Sequence, residues 1–133
     1  MKILVADLEG VFLPEIWINV AVKTGIEELK LTTRDISDYD ELMIRRLSIL
    51  RKNKLTLQDI QDVVATLDPL DGAADTMAWI RERAQIIILS DTFEEFVKPL
   101  MEKLAYPALF CHNLTIDSTG MIADYNLRID DQK

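Results

Sequence analysis

A chain of 133 residues supports one core of ordinary size with at most a small inserted satellite, and it is too short for two full domains. Its 49% hydrophobic content, 29% charged content and net charge of -8 describe a globular protein that repels nucleic acid and anionic membrane surfaces. Cys111 is the single cysteine, which excludes an internal disulfide and a multi-cysteine zinc site and leads us to expect a reducing, cytoplasmic setting. The amino terminus enters a short strand without a charged leader, and no later stretch is long enough to span a bilayer.

Ile3, Leu4, Val5 and Ala6 form an unbroken apolar run, the pattern of a strand covered on both faces in a parallel sheet. Asp7 and Glu9 follow at the carboxyl end of that strand, and Gly10 permits a tight turn beside a ligand. Ligands of open α/β sheets bind outside the carboxyl ends of the strands, so the two carboxylates stand where chemistry is usually done. The same pair also suits a loop with two solvated acids.

From Pro14 the pattern turns helical, with Glu15 in the first turn, Ile16, Trp17, Val20 and Ala21 as the apolar stripe and Gly25 as the stop. Trp17 reads as a core residue. The stretch 26–38 is polar and loosely patterned, a weak helix and a loop. Tyr39, Leu42, Met43, Arg46, Leu47 and Leu50 then share one helix face, where Arg46 is out of place. A guanidinium in an apolar stripe either snorkels at its edge or meets an anion in a cleft.

Thr56 with Asp59 forms a variant capping box, and Ile60, Val63, Val64 and Leu67 make the buried side of the helix that closes this insertion. Asp68, Pro69 and Leu70 break the pattern. Asp71 and Gly72 start another helix, whose inner face is Ala73, Met77, Ile80 and Trp79. Ile86 to Leu89 is a second continuously apolar strand, ending at Ser90, Asp91 and Thr92. Phe93, Phe96, Val97, Leu100 and Leu104 have helical spacing, with Pro99 expected to separate two short helices. Ala108 to Cys111 reads as a third short buried strand, and Asn113 to Ile129 as a hairpin around the turn 117–120. His112 has no partner in any motif and reads as structural or exposed; Cys111 reads as a small core residue.

Two parallel strands ending in polar groups and joined through a helical insertion predict a sheet crevice roofed by a small cap. The crevice would offer Asp7, Glu9, Ser90 and Thr92. A carboxylate nucleophile, a second carboxyl as proton donor and a hydroxyl at a helix start suit phosphoryl transfer through an aspartyl-phosphate, with a divalent cation neutralising acid and phosphate. Read singly, Ser90 and Thr92 are helix caps, Glu15 a first-turn acid and Lys133 a terminal lysine.

DLEGV after one apolar strand and ILSDT after another resemble motifs I and II of the haloacid dehalogenase superfamily. The run PLDGAADTMAWIRERAQIIILSDT is similar to the phosphoserine phosphatase branch, and DLEGVFLPEIW with SDT most resembles the subgroup with phosphoserine:homoserine phosphotransferase activity. The resemblance covers essentially the whole chain. It implies an α/β fold, a Rossmann-like parallel sheet of haloacid dehalogenase type, incomplete at its C-terminal side, with a β-hairpin near the C-terminus. It further implies a partial core over 1–12 and 71–133 with a helical cap over 13–70.

By the same resemblance Asp7 is the nucleophile, and Glu9 protonates the leaving oxygen and then activates water or an acceptor hydroxyl. Asp7 and Glu9, the latter through its backbone carbonyl, hold Mg2+. Ser90, Asp91 and Thr92 bind the substrate phosphate, and Lys133 balances charge as the motif III lysine. Glu15 receives the substrate ammonium and Arg46 its carboxylate. The implied substrate is O-phosphoserine, with water and homoserine both open as acceptors.

The family continues into a motif IV strand and acid pair that this sequence does not contain. That strand lies beside the first one, so Ile3 to Ala6 is expected to present an open apolar edge, completed by a further segment or by another copy of the chain. Two other readings stay open: a catalytically inactive module that binds an amino acid or phosphate, and an interaction protein assembling through that edge.

Overall fold

The structure, a computed structural model, describes residues 1–132. In chain order it contains β1 (Ile3–Ala6), α1 (Ile16–Thr24), a 3₁₀ turn (Glu27–Lys30), α2 (Tyr39–Lys52), α3 (Leu57–Ala65) and α4 (Ala73–Arg81). These are followed by β2 (Gln85–Phe93), α5 (Glu94–Met101), a second 3₁₀ turn (Glu102–Leu104), β3 (Ala108–Ile116) and β4 (Ile122–Asn126). The strands form one sheet in the order β1-β2-β3-β4; the first two pairings are parallel and β3 with β4 is antiparallel. Among the described residues no helix is long and apolar enough to cross a membrane.

Local chemistry sets the element ends. Gly25 closes α1 at φ 74°, a left-handed conformation that costs glycine no Cβ clash, and its amide donates to the Ala21 carbonyl. Thr56 and Asp59 make a reciprocal capping box at α3, as their spacing predicts. Ile86 and Ile88 point to the helix-covered face and join Met77, Ile80, Phe96 and Leu100 in one core. The inserted helices α1, α2 and α3 bring their own stripes to that core, including Ile16, Val20, Met43, Leu50, Ile60 and Val64. Trp17 is buried edge-on against Phe96, ring centres 5.2 Å apart.

Several expectations are corrected. β1 is not covered on both faces: Ile3, Leu4 and Val5 are exposed at the sheet edge, which is the open edge that the lack of a neighbouring strand predicts. Trp79 is on the outer face of α4, 58% exposed, with the Arg83 guanidinium stacked 4.2 Å from its ring centre. Pro99 does not split α5. The carbonyl that its missing N–H leaves unbonded, that of Glu95, accepts instead from Gln61 Nε2 on α3 at 2.9 Å.

The third strand is longer than its apolar run and is not buried at its start. Ala108 and Phe110 are exposed, and β3 continues through Ile116, pairing first with β2 and then with β4. β2 likewise runs past Leu89 to Phe93, although its register with β3 is broken between those two residues.

Candidate active site

β1 ends at Ala6 and the chain folds into a closed loop on Leu8. The amides of Val11, Phe12 and Leu13 donate to the Leu8 carbonyl, and the Gly10 amide donates to the Leu13 carbonyl at 2.7 Å. Gly10 makes this possible at φ 78°, where a side chain would be strained. The loop holds Asp7 and Glu9 at the mouth of the sheet. An Asp7 carboxylate oxygen accepts from the Leu8 amide at 2.7 Å. Glu9 Oε1 accepts from the Ile16 amide at 2.9 Å, so Glu9 also satisfies the first turn of the helix that its loop leads into.

Burial pushes the Glu9 carboxyl above its ordinary range. The Ile16 hydrogen bond and the Arg46 charge pull it down without cancelling that effect, and the charges of Asp7 and Glu15 push it further up. A carboxyl in this position favours its protonated form and is suited to donate a proton.

Asp7, Glu9, Glu15, Arg46, Asp91 and Thr92 line one cavity of about 250 Å³, roofed by α1, α2 and the loop around Thr32 to Arg34. Ser90 is not among its lining residues. It is buried below, its Oγ accepting from the Thr92 amide at 3.2 Å and its carbonyl accepting from Gln132 Nε2 at 2.6 Å. Lys133 lies outside the described residues.

Arg46 does not snorkel. It is 7% exposed, its guanidinium carbon 4.7 Å from the Trp17 ring centre, with NH2 donating to the Leu31 carbonyl at 2.9 Å. Burial lowers its pKa to about 10, against the opposing influence of Tyr39 and Glu9. Its Nε has no hydrogen-bond partner among the described residues, an unsatisfied buried donor on a cation in an anion-sized cavity. Glu15, at the cavity rim, pairs with the exposed Arg34 at 3.4 Å.

Two site residues escape the sequence reading. Tyr39 reads as one more apolar stripe member, yet its hydroxyl donates to the Asp91 carbonyl at 3.2 Å and joins α2 to the end of β2. Of the two readings of His112 the structure bears out the structural one, with partners that no motif signals. It is 2% exposed, its Nε2 lies 3.1 Å from Asp91 Oδ1, and its Nδ1 accepts from the Arg128 amide at 2.9 Å. Nothing local in the sequence signals either contact.

Among the described residues no group of three or more His, Cys, Asp and Glu is arranged to hold a metal ion. The Asp7 carboxylate, with the Glu9 backbone carbonyl beside it, fits part of a magnesium site, since that ion keeps several waters and binds through one or two carboxylates together with substrate phosphate oxygens.

No family model matches the chain. Over all 133 residues it is 56% identical to phosphoserine phosphatase ThrH of Pseudomonas aeruginosa and 55% identical to a phosphoserine phosphatase of Pseudomonas syringae pv. tomato. The matches take in the whole of this chain but 65% of the first relative and 56% of the second, so the chain spans roughly three fifths of the proteins it matches. The fold superposes on a crystal structure of phosphoserine phosphatase in apo form with a TM-score of 0.74 at 21% identity, over 95% of this chain and 62% of that one. The chain is therefore a homologue of phosphoserine phosphatase ThrH, and its mixed, mostly parallel sheet with the inserted helices is part of the haloacid dehalogenase-like fold of the phosphoserine phosphatases.

Proposed function

We propose that the chain is the O-phosphoserine-binding and phosphoryl-transferring part of a phosphoserine phosphatase acting in the cytoplasm. The core covers 1–12 and 71–133 and the cap 13–70. The observation that carries this reading is Arg46: a buried guanidinium over Trp17, whose Nε has no hydrogen-bond partner among the described residues, lining the same cavity as Asp7 and Glu9. A substrate carboxylate would satisfy the fork that the protein leaves incomplete, and Glu15 at the rim would take the ammonium group.

An Asp7 carboxylate oxygen would attack phosphorus while the bond from phosphorus to the serine oxygen breaks, and Glu9, whose carboxyl burial shifts toward the protonated form, would give that oxygen its proton. In the second step Glu9 would accept a proton from the attacking water, or from the hydroxyl of homoserine, and Asp7 would be released. Thr92 and the turn 90–92 would hold the phosphate oxygens, with Lys133 as a balancing charge. The Asp7 carboxylate and the Glu9 backbone carbonyl would hold Mg2+, which when bound offsets the repulsion between acid and phosphate. The open apolar edge of β1 is where a complementing C-terminal segment or a second copy would pair.

The test is acid-quench trapping with phosphate-labelled phosphoserine and Mg2+. The expected result is a hydroxylamine-sensitive label on the native chain that Asp7→Asn loses entirely. Label retained by Asp7→Asn overturns the nucleophile assignment. Metal-independent phosphoserine binding without any label would make the chain an amino-acid-binding module instead.

A further inference from the structure

We propose that His112 is a positioning residue that holds the Ser90–Thr92 turn in place through Asp91, in a ring tautomer dictated by the backbone of Arg128. The effect on phosphate rests on the phosphatase reading above; the tautomer and the clamp do not.

The argument begins with the sheet. β2 and β3 pair regularly as far as Leu89 with Phe110, then lose register until Phe93 meets His112. Ser90, Asp91 and Thr92 fall in that gap, where the ladder does not fix the backbone. Side chains replace it. Ser90 Oγ accepts from the Thr92 amide, Gln132 donates to the Ser90 carbonyl, Tyr39 donates to the Asp91 carbonyl, and His112 meets the Asp91 carboxylate. His112 is the residue that closes the gap, and its ring lies near those of Phe93 and Tyr39, at 6.2 and 6.3 Å between centres.

The ring's proton is assigned by its partners. A backbone amide can only donate, so the 2.9 Å bond from Arg128 N requires an unprotonated Nδ1 and leaves the proton on Nε2. Nε2 then donates to Asp91 Oδ1 at 3.1 Å. Gln132 Nε2, 3.5 Å from the same nitrogen, is itself a donor and spends its bond on the Ser90 carbonyl. Asp91 lines both the cavity with Asp7 and Glu9 and the adjoining one with Asp130 and Asp131. Without His112, the Asp91 carboxylate loses a contact that aims it away from the phosphate position, and an anion turned toward that position opposes phosphate binding.

The experiment uses the native 133-residue chain with long-range proton–nitrogen correlation of the imidazole, amide exchange, and titration with inorganic phosphate followed at the Thr92 amide. The Nε2-protonated tautomer is expected in the native chain; the Nδ1-protonated form overturns the proposal. His112→Phe keeps a ring but removes both bonds, and should speed exchange of the Arg128 and Thr92 amides and weaken phosphate binding about 10-fold, the low end of effects from removing a group that orients a ligand-contacting side chain. His112→Gln, which can place a donor near Nε2, should restore phosphate affinity to within about 3-fold of native by the same reasoning. A folded His112→Phe that binds phosphate as the native chain does, or shows unchanged exchange, overturns the clamp. If the native chain binds no phosphate, the phosphatase reading fails while the tautomer and exchange results still decide the role of His112. If His112→Phe does not fold, the tautomer and the His112→Gln exchange rates decide it.

Discussion

Glu9 shows how one carboxyl can serve as a structural acceptor while its burial works against stability. Its carboxyl is held above the ordinary value of 4.5 chiefly by burial. Between that value and the raised one, the folded chain keeps a proton that the unfolded chain has lost, so stability falls as pH rises through the window. Glu9→Gln has no proton to lose and still offers an oxygen to the Ile16 amide. In chelator, urea unfolding should therefore show Glu9→Gln gaining on the native chain as pH rises above about 4.5. A stability difference that does not vary with pH would mean the carboxyl is not raised. Arg46 makes the complementary case. Lysine cannot reproduce the fork over Trp17, so on the proposed function Arg46→Lys should raise the KM for phosphoserine about 10- to 100-fold, the loss of one charged hydrogen bond, with a smaller change in kcat. Arg46 was legible because a cation in an apolar stripe breaks a pattern. His112 was not, because its partners lie 21 and 16 positions away and no periodicity reaches them.

At the level of elements, what was legible is what is local. Gly25 ends α1, Thr56 starts α3, and the two apolar runs are paired strands, because capping signals and continuous apolar runs are set within a few residues. The misjudged elements are those whose extent depends on a neighbour. β3 continues past its apolar run because β4 returns to pair with it, and α5 survives Pro99 because α3 supplies a donor. That last contact predicts a coupled pair. Gln61→Leu should destabilise the chain by about 1 kcal/mol, the net loss of a hydrogen bond to a part-buried carbonyl. In a Pro99→Ala background the helix can offer its own amide to Glu95, so the cost of Gln61→Leu should shrink measurably. Equal costs in both backgrounds, read from urea midpoints, would show that Gln61 does not stand in for the missing amide. The inserted helices are tied down in a similar way. The Leu57 amide donates to the Gly120 carbonyl of the hairpin turn, and Tyr125 hydrogen-bonds Asp40 at the start of α2. The hairpin thus braces the insertion at both contacts.

Across the molecule the sheet is asymmetric. Alternation along β1, β2 and β3 sends Ile86 and Ile88 to the helices and Ile3, Val5, Ile87, Leu89 and Phe110 to the opposite face. Ile3 is 54% exposed, Val5 56% and Phe110 41%, while Ile87 and Leu89 are half-buried. Parallel strands are stable when both faces are covered, so this face and the unpaired edge of β1 form one continuous apolar surface. The net charge of -8 opposes self-association, but a flat apolar edge with unsatisfied amides and carbonyls favours it over short range. Contact at the edge should prevail once added salt screens the charge, because the Debye length falls to about 3 Å at 1 M while burial of apolar surface is undiminished. Sedimentation velocity of the 133-residue chain should show association that grows with concentration between about 1 and 100 µM and strengthens with salt. Val5→Lys puts a charge at the centre of the edge strand at a position already open to water, and should shift the distribution to monomer without lowering the melting temperature. A native chain that stays monomeric in high salt across that range would show that the charge and twist of β1 are enough to keep its edge from pairing.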